Sequence, residues 1–258
     1  MVTGNPEGST GGEDENPFPD LPDFEEWSPE ETLEVLTSGE MTIEGRVADS
    51  SNATFVVTLE HDLGVTRAVY KPLRGERPLW DFPPGLHRRE VAAWELSRHL
   101  EWDLVPPTVA RDGTYGEGSV QLFVPADFSE HHFTLVDDPA HGERLRLICA
   151  FDIIANNTDR KSGHCLAGRD GRVWAIDHGL CFAADFKLRT VIWEFAGEPL
   201  PPKVTEGLAE LAGGLPDSVT DLLDRDETRA LYERVNRLLE SGVYPVDETG
   251  RRYPWPLV

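Results

Sequence analysis

The chain has 258 residues with 47 acidic and 24 basic side chains, a formal net charge of −23. That length can bury a sizeable core as one large domain or as two lobes, and the charge repels nucleic acid and anionic bilayers. No apolar run approaches the ~20 residues of a membrane span and no charged, apolar signal sequence opens the chain, so a cytoplasmic protein with no stable membrane association is expected.

In chain order, residues 1–23 are rich in Gly, Pro, Glu and Asp and predict a disordered acidic tail ending at about residue 24. Order is expected from Trp27. Ser28, Pro29 and Glu31 form an N-cap, a proline at the first helical position and a capping-box acid, starting a helix that stops near Gly39. Residues 42–47, 54–59 and 67–72 read as strands, the last two as an antiparallel pair. Ser50, Ser51 and Asn52 lie in the turn before the second strand. Their small side chains would let backbone N–H groups approach an anion, although no GxGxxG or Walker pattern is present and a plain hairpin turn explains them equally well. Lys71 closes the third strand. Residues 90–100 then read as a helix with an apolar stripe through Ala92, Ala93, Leu96 and Leu100. Glu90 is the candidate partner for Lys71 and Glu95 its rival. Arg88 and Arg89 form a basic patch able to hold one phosphate. An N-terminal lobe over residues 25–124 and a C-terminal lobe over 125–258 are expected, the latter with helices over 143–155, 204–212, 217–223 and 227–241. Residues 253–256, Tyr-Pro-Trp-Pro, are expected to pack as an irregular cap.

Two acidic residues then sit on loops joined by a short hairpin. Asp159 lies in Asn156-Asn157-Thr158-Asp159-Arg160 and Asp177 in Ala175-Ile176-Asp177-His178-Gly179, with residues 165–176 reading as strand, turn, strand. Such loops also arise for conformational reasons alone. In ATP-dependent phosphoryl transfer, one carboxylate orients the attacking hydroxyl and a second holds the divalent ion that bridges the phosphates. Asp159 suits the first role and Asp177 the second. A strand lysine held by a helix carboxylate contacts the α- and β-phosphates, which suits Lys71 and Glu90. The order of the four elements, rather than any one of them, carries the reading.

The Ser-Ser-Asn loop, Tyr70-Lys71-Pro72, Arg88-Arg89-Glu90, Asn157-Thr158-Asp159-Arg160 and Ile176-Asp177-His178-Gly179 together resemble the phosphatidylinositol 3- and 4-kinase superfamily. The closest likeness is to type II phosphatidylinositol 4-kinases and compact actinobacterial proteins similar to them, over residues 41–196. The resemblance implies an α+β, two-lobed protein-kinase-like fold, with a small β-rich N-lobe containing one key helix and a mainly helical C-lobe. It implies ATP and Mg²⁺ or Mn²⁺ as cofactors, and catalytic Asp159, Lys71 and Glu90. It also places ATP contacts at Ser50, Ser51, Asn52 and Lys71 and at a hinge over residues 121–125, including Gln121, Phe123 and Val124, with metal at Asp177.

Two departures matter. His164 stands where the resembled kinases place a metal-binding Asn; as a ligand, its imidazole would favour Mn²⁺, and the alternative is a plain polar loop residue. The segment after Gly179 offers only Lys187 and Arg189, too few cations for a phosphoinositide-reading loop. The partners are therefore ATP and an unidentified hydroxyl acceptor, a soluble small molecule or a protein, the chain itself included. A nucleotide-binding pseudokinase with a regulatory role is the alternative, and a metal-dependent phosphohydrolase using His164, Asp177 and His178 ranks third. Cys149, Cys165 and Cys181 form no C-x-x-C pair and leave an odd count, so buried free thiols are expected rather than disulfides or zinc ligands.

Overall fold

The computed structural model describes residues 27–47, 50 and 52–258. The expected acidic tail and Ser51 lie outside the described residues. Helix α1 (Pro29–Ser38) starts at the capping box read from sequence: Glu31 N–H donates to Ser28 Oγ at 3.1 Å, and Ser28 N–H donates to the Glu31 carboxylate at 2.7 Å.

Strands β1 (Glu40–Arg46), β2 (Phe55–His61), β3 (Gly64–Pro72), β4 (Thr108–Gly113) and β5 (Gly116–Leu122) form an antiparallel sheet in the order β1-β2-β3-β5-β4. Side chains alternate along a strand, so one face carries Val57, Leu59, Ala68, Tyr70 and Val120, which bury against Val35 and Leu36 of α1. Each fully buried aliphatic side chain contributes roughly 1.5–3 kcal/mol relative to exposure, which fixes α1 on that face. Alternation sends Val69 and Lys71 to the opposite face. Helix α2 (Leu86–His99) packs against β4 and β5.

Helix α2 begins four residues before the expected start. Gly85, at φ 100°, makes the left-handed entry that a side chain disfavours. The Glu76 carboxylate, from outside the helix, accepts Gly85 N–H at 2.8 Å and His87 N–H at 3.1 Å, and so supplies the missing cap. Glu90 thus lies one turn inside the helix rather than at its mouth.

Beyond β5 the chain is mainly helical. A small sheet joins β6 (Ala126–Asp127), β7 (Cys165–Gly168) and β8 (Val173–Ala175) in that order; the β7–β8 hairpin follows the sequence reading, and β6 is an unexpected addition. Between β6 and β7 lie α3 (His132–Leu135) and α4 (Gly142–Ala155). Helix α4 is apolar nearly all round and runs through the main core with Leu145, Leu147, Ile148, Phe151 and Ile154 buried. Helices α5 (Pro202–Gly213), α6 (Asp217–Thr220) and α7 (Arg225–Ser241) complete this part, α6 being shorter than expected.

All three cysteines are free and buried, and burial raises their thiol pKa values, that of Cys165 to about 12. The C-terminal segment lies irregularly against the helical part, with Tyr253 on the Trp193 ring and Pro254 buried, but Trp255 does not pack. Thr190 N–H donates to Arg252 O at 3.1 Å and Ser162 N–H donates to Leu257 O at 2.8 Å, while Trp255 is 88% exposed. Among the described residues no helix is long and apolar enough to cross a membrane.

Candidate functional site

Lys71 projects from the end of β3 between two carboxylates from different parts of the chain. Its ammonium donates to Glu90 Oε1, and to Asp177 Oδ1 at 2.9 Å. Glu95 does not compete, being paired with Arg98 on the helix surface. The second Glu90 oxygen accepts His178 N–H at 2.9 Å, so one buried carboxylate fixes both the lysine and the loop after Asp177. Gly179 eases this approach: a Cβ there would stand 3.3 Å from Glu90 Oε1 and would push the carboxylate by a few tenths of an ångström. Asp177 itself is held at φ 61°, an uncommon backbone state for a residue with a side chain.

Asp159 is placed by the end of α4. Asn156 closes the helix in the left-handed region at φ 53°. Its amide donates to the carbonyls of Ala183 and Asp185 and its oxygen accepts Lys187 N–H, stitching the loop to the segment beyond Asp177. Asn157 Oδ1 accepts Asp159 N–H at 3.0 Å, and its amide donates to Asp152. Arg160 is fully buried and gathers both loops. It contacts both oxygens of the buried Asp152, the carbonyls of His164 (3.1 Å) and Ile176 (2.8 Å), and His178 Nε2 at 2.7 Å. One guanidinium therefore binds the carbonyl of His164 and that of the residue before Asp177.

These surroundings set the ionisation states. For Lys71, burial disfavours the charged form, but Asp177 and Glu90 outweigh it and hold the pKa above the usual lysine value. The Lys71 charge, against the opposing effect of burial, holds Asp177 well below the usual carboxylate range. Burial raises the Asp159 pKa, partly offset by Lys161 and Arg189 and reinforced by Asp177. The Lys161 ammonium lies 3.3 Å from Asp159 Oδ2. Burial pushes the His164 pKa down to about 4, leaving the neutral imidazole that can ligate metal.

His164 Nε2 lies 3.4 Å from Asp177 Oδ2. Among the described residues no group of three or more His, Cys, Asp or Glu side chains forms a metal cluster. A two-ligand set of imidazole and carboxylate fits an ion that completes its shell with substrate phosphate oxygens and water, as Mg²⁺ and Mn²⁺ do.

One cleft brings together Ser50, Asn52, Lys71, Glu90, Asp159, Lys161, His164 and Asp177. Within it the Ser50 hydroxyl pairs with Thr54 and Asn52 Oδ1 accepts Arg77 N–H. Gln121 and Phe123 are outside its lining. The Gln121 side chain is buried on Thr108, Leu122 N–H donates to Pro107 O, and Phe123 N–H donates to Arg67 O at 3.1 Å. Val124 is outside the lining as well and packs against the cluster of Ala126, Leu166 and Trp174. The basic patch expected at Arg88 and Arg89 does not form. Arg89 is buried in an ion pair with Glu227 of α7, and Arg88 donates to Asp221 O. Sequence reasoning missed Asp152 and Lys161 and gave Asn157 and Arg160, though inside the quoted motif, no role; Asp152, an acid inside an apolar helix, was the available signal.

No sequence-family profile matches the chain. Two solved structures share its architecture: hydra Fam20 with sugar, at TM-score 0.52 and 14% identity over 81% of this chain and 87% of that one, and the Golgi casein kinase, at TM-score 0.50 and 16% identity over 84% and 78%. The fold is accordingly the α+β, two-lobed protein-kinase-like one. Protein Rv2133c of Mycobacterium tuberculosis is 40% identical over 260 residues, covering 86% of this chain and 94% of its own. The chain belongs to the same family as Protein Rv2133c.

Proposed function

We propose that the chain is an ATP-dependent phosphotransferase acting on a hydroxyl group, of the broad phosphatidylinositol-kinase-like type that its motifs resemble. The observation that carries this is the convergence of Lys71, Glu90 and Asp177 in one cleft with Asp159 across from them. Lys71 binds the α- and β-phosphates and Glu90 holds it rigid. Asp177 and His164 would hold Mg²⁺ or Mn²⁺, which would supply positive charge against the phosphate oxygens. Asp159 orients the acceptor hydroxyl and takes its proton, and its raised pKa makes it a stronger base than a free aspartate. Lys161 balances charge beside it. Ser50 and Asn52 face the phosphates, and the adenine end is assigned to the side of the apolar cluster that holds Val124, Leu166 and Ile176, outside the lining of the phosphate cleft. Residues 25–124 and 125–258 act as the two lobes of a cytoplasmic enzyme.

His164 in place of an Asn favours one second reading, a nucleotide-binding protein that does not transfer phosphate. The phosphohydrolase reading leaves the Lys71–Glu90 pair without a role. Calorimetry with Mn·ATP tests the assignment: the wild type binds, and Asp177→Ala abolishes metal-dependent binding. Unchanged affinity in that variant sinks it.

A further inference from the structure

Behind the loop that carries Asp159, and outside the lining of the cleft, lie two further strips of backbone. Arg189 N–H donates to Asn157 O at 2.8 Å and Arg160 N–H donates to Arg189 O at 3.1 Å, so residue 189 is clamped alongside the loop that carries Asp159. On the far side of this strip runs the C-terminal segment, joined through Thr190 N–H to Arg252 O and through Ser162 N–H to Leu257 O. An extended peptide acceptor paired to this strip by its main chain would need these donors. The chain's own residues 252–257 already hold them. A peptide would first have to displace that segment.

The charges on this side are uneven. Of the two cations in the segment after Gly179, Lys187 is committed to Asp81 and lies over the Phe82 ring. Arg252 is spent on Asp247 and on the Phe186 ring. Arg189 is exposed, and among the described residues its guanidinium makes no hydrogen bond or ion pair. Its positive charge still reaches the Asp159 carboxyl, where it opposes the pKa rise caused by burial. In a chain of net charge −23, an exposed guanidinium without a partner among the described residues, carried on backbone hydrogen-bonded to both Asn157 and Arg160 around the proposed base, marks where an anion is accepted. A guanidinium fork matches a carboxylate or a phosphate in two-point geometry.

Resting on the phosphotransferase reading, we infer that the acceptor is a small anionic alcohol, a hydroxy acid or a phosphorylated polyol. Arg189 holds its carboxylate or phosphate while its hydroxyl faces Asp159. The hydroxyl oxygen forms a bond to the γ-phosphorus, the bond from that phosphorus to the ADP oxygen breaks, and the hydroxyl proton passes to Asp159. The products are a phosphate monoester and ADP.

The test measures ADP release and product mass with Mn·ATP and three sets of probes. Glycerate supplies a carboxylate, glycerol 3-phosphate and inositol monophosphate supply a phosphate, and glycerol, inositol and a serine peptide flanked by aspartates serve as contrasts. An anionic alcohol is expected to be phosphorylated and to raise ADP release above the acceptor-free level, with the first two arms separating carboxylate from phosphate. Arg189→Gln should raise its KM about 10- to 100-fold, the range for losing a charged hydrogen bond, and Arg189→Lys should fall between. Mn·ATP affinity of the variants, read by calorimetry, reports that they are folded. The inference is overturned if the peptide or a neutral alcohol is the best acceptor, or if Arg189→Gln raises KM equally for charged and neutral acceptors. It is also overturned if ATP is hydrolysed while no anionic alcohol is phosphorylated. Failure of the wild type to bind Mn·ATP would instead remove the phosphotransferase reading, and this inference with it.

Discussion

Replacing Arg160 with methionine removes the cation that joins the two loops of the site. In the native protein its fully buried guanidinium meets both oxygens of the buried Asp152, the carbonyls of His164 and Ile176, and the buried His178. Methionine fills much of the volume but supplies no donor. Asp152 is then left with the Asn157 amide and the Thr190 hydroxyl as partners, a buried carboxylate without its counter-charge. Breaking a buried pair on one side costs about 3–5 kcal/mol. For a protein of this size that lowers Tm by roughly 6–20 °C, at about 2–4 °C per kcal/mol. Urea unfolding and calorimetry read the stability, and Mn·ATP titration reads the site. The double variant Arg160→Met/Asp152→Asn removes the stranded charge and should recover a large part of the stability. It should not recover nucleotide affinity, because the carbonyls of His164 and Ile176 remain untied. A loss below about 1 kcal/mol in the single variant, or native affinity in the double one, would refute this account of how the loops are held.

His164→Asn should shift metal preference from Mn²⁺ toward Mg²⁺, because an amide oxygen is a harder ligand than an imidazole nitrogen; equal activity and affinity with both metals before and after the change would place His164 outside the metal shell. Arg89→Leu leaves Glu227 buried without its partner and frees α2 from α7. It should cost about 3 kcal/mol or more and weaken Mn·ATP binding through the neighbouring Glu90, whereas native stability and affinity would show that α2 is held elsewhere.

The local elements were legible wherever their signals were short-range. The capping box of α1, the β2–β3 pair and the β7–β8 hairpin are written in adjacent residues, and each forms near the expected position. The start of α2 was misread because its cap comes from Glu76, nine residues before Gly85 and outside the helix. That Lys71, Glu90, Asp159 and Asp177 share one cleft could be expected from their order along the chain. The groups that hold them could not. Arg89 looks like a surface cation until Glu227, 138 residues later, is placed beside it. Asp152 and Arg160 look like a helix acid and a loop base until the fold removes water from both. Such pairings depend on distances across the fold that no local pattern records. Trp255 failed in the other direction: its composition suggested packing, yet it remains at the surface.

The central claim is that this cleft transfers phosphate, with Asp159 as the base. Its most direct measurement compares wild type with Asp159→Asn for ATP turnover and phosphorylated product, by ADP release and mass spectrometry with Mn²⁺ and with Mg²⁺. The account predicts that the variant binds Mn·ATP through Lys71 and Asp177 as the wild type does, while its turnover falls ~10²–10⁴-fold, the usual contribution of a positioned acid–base group. Equal turnover in the two proteins would contradict Asp159 as the base, and a wild type that binds ATP but turns over none with either metal would contradict the transferase itself.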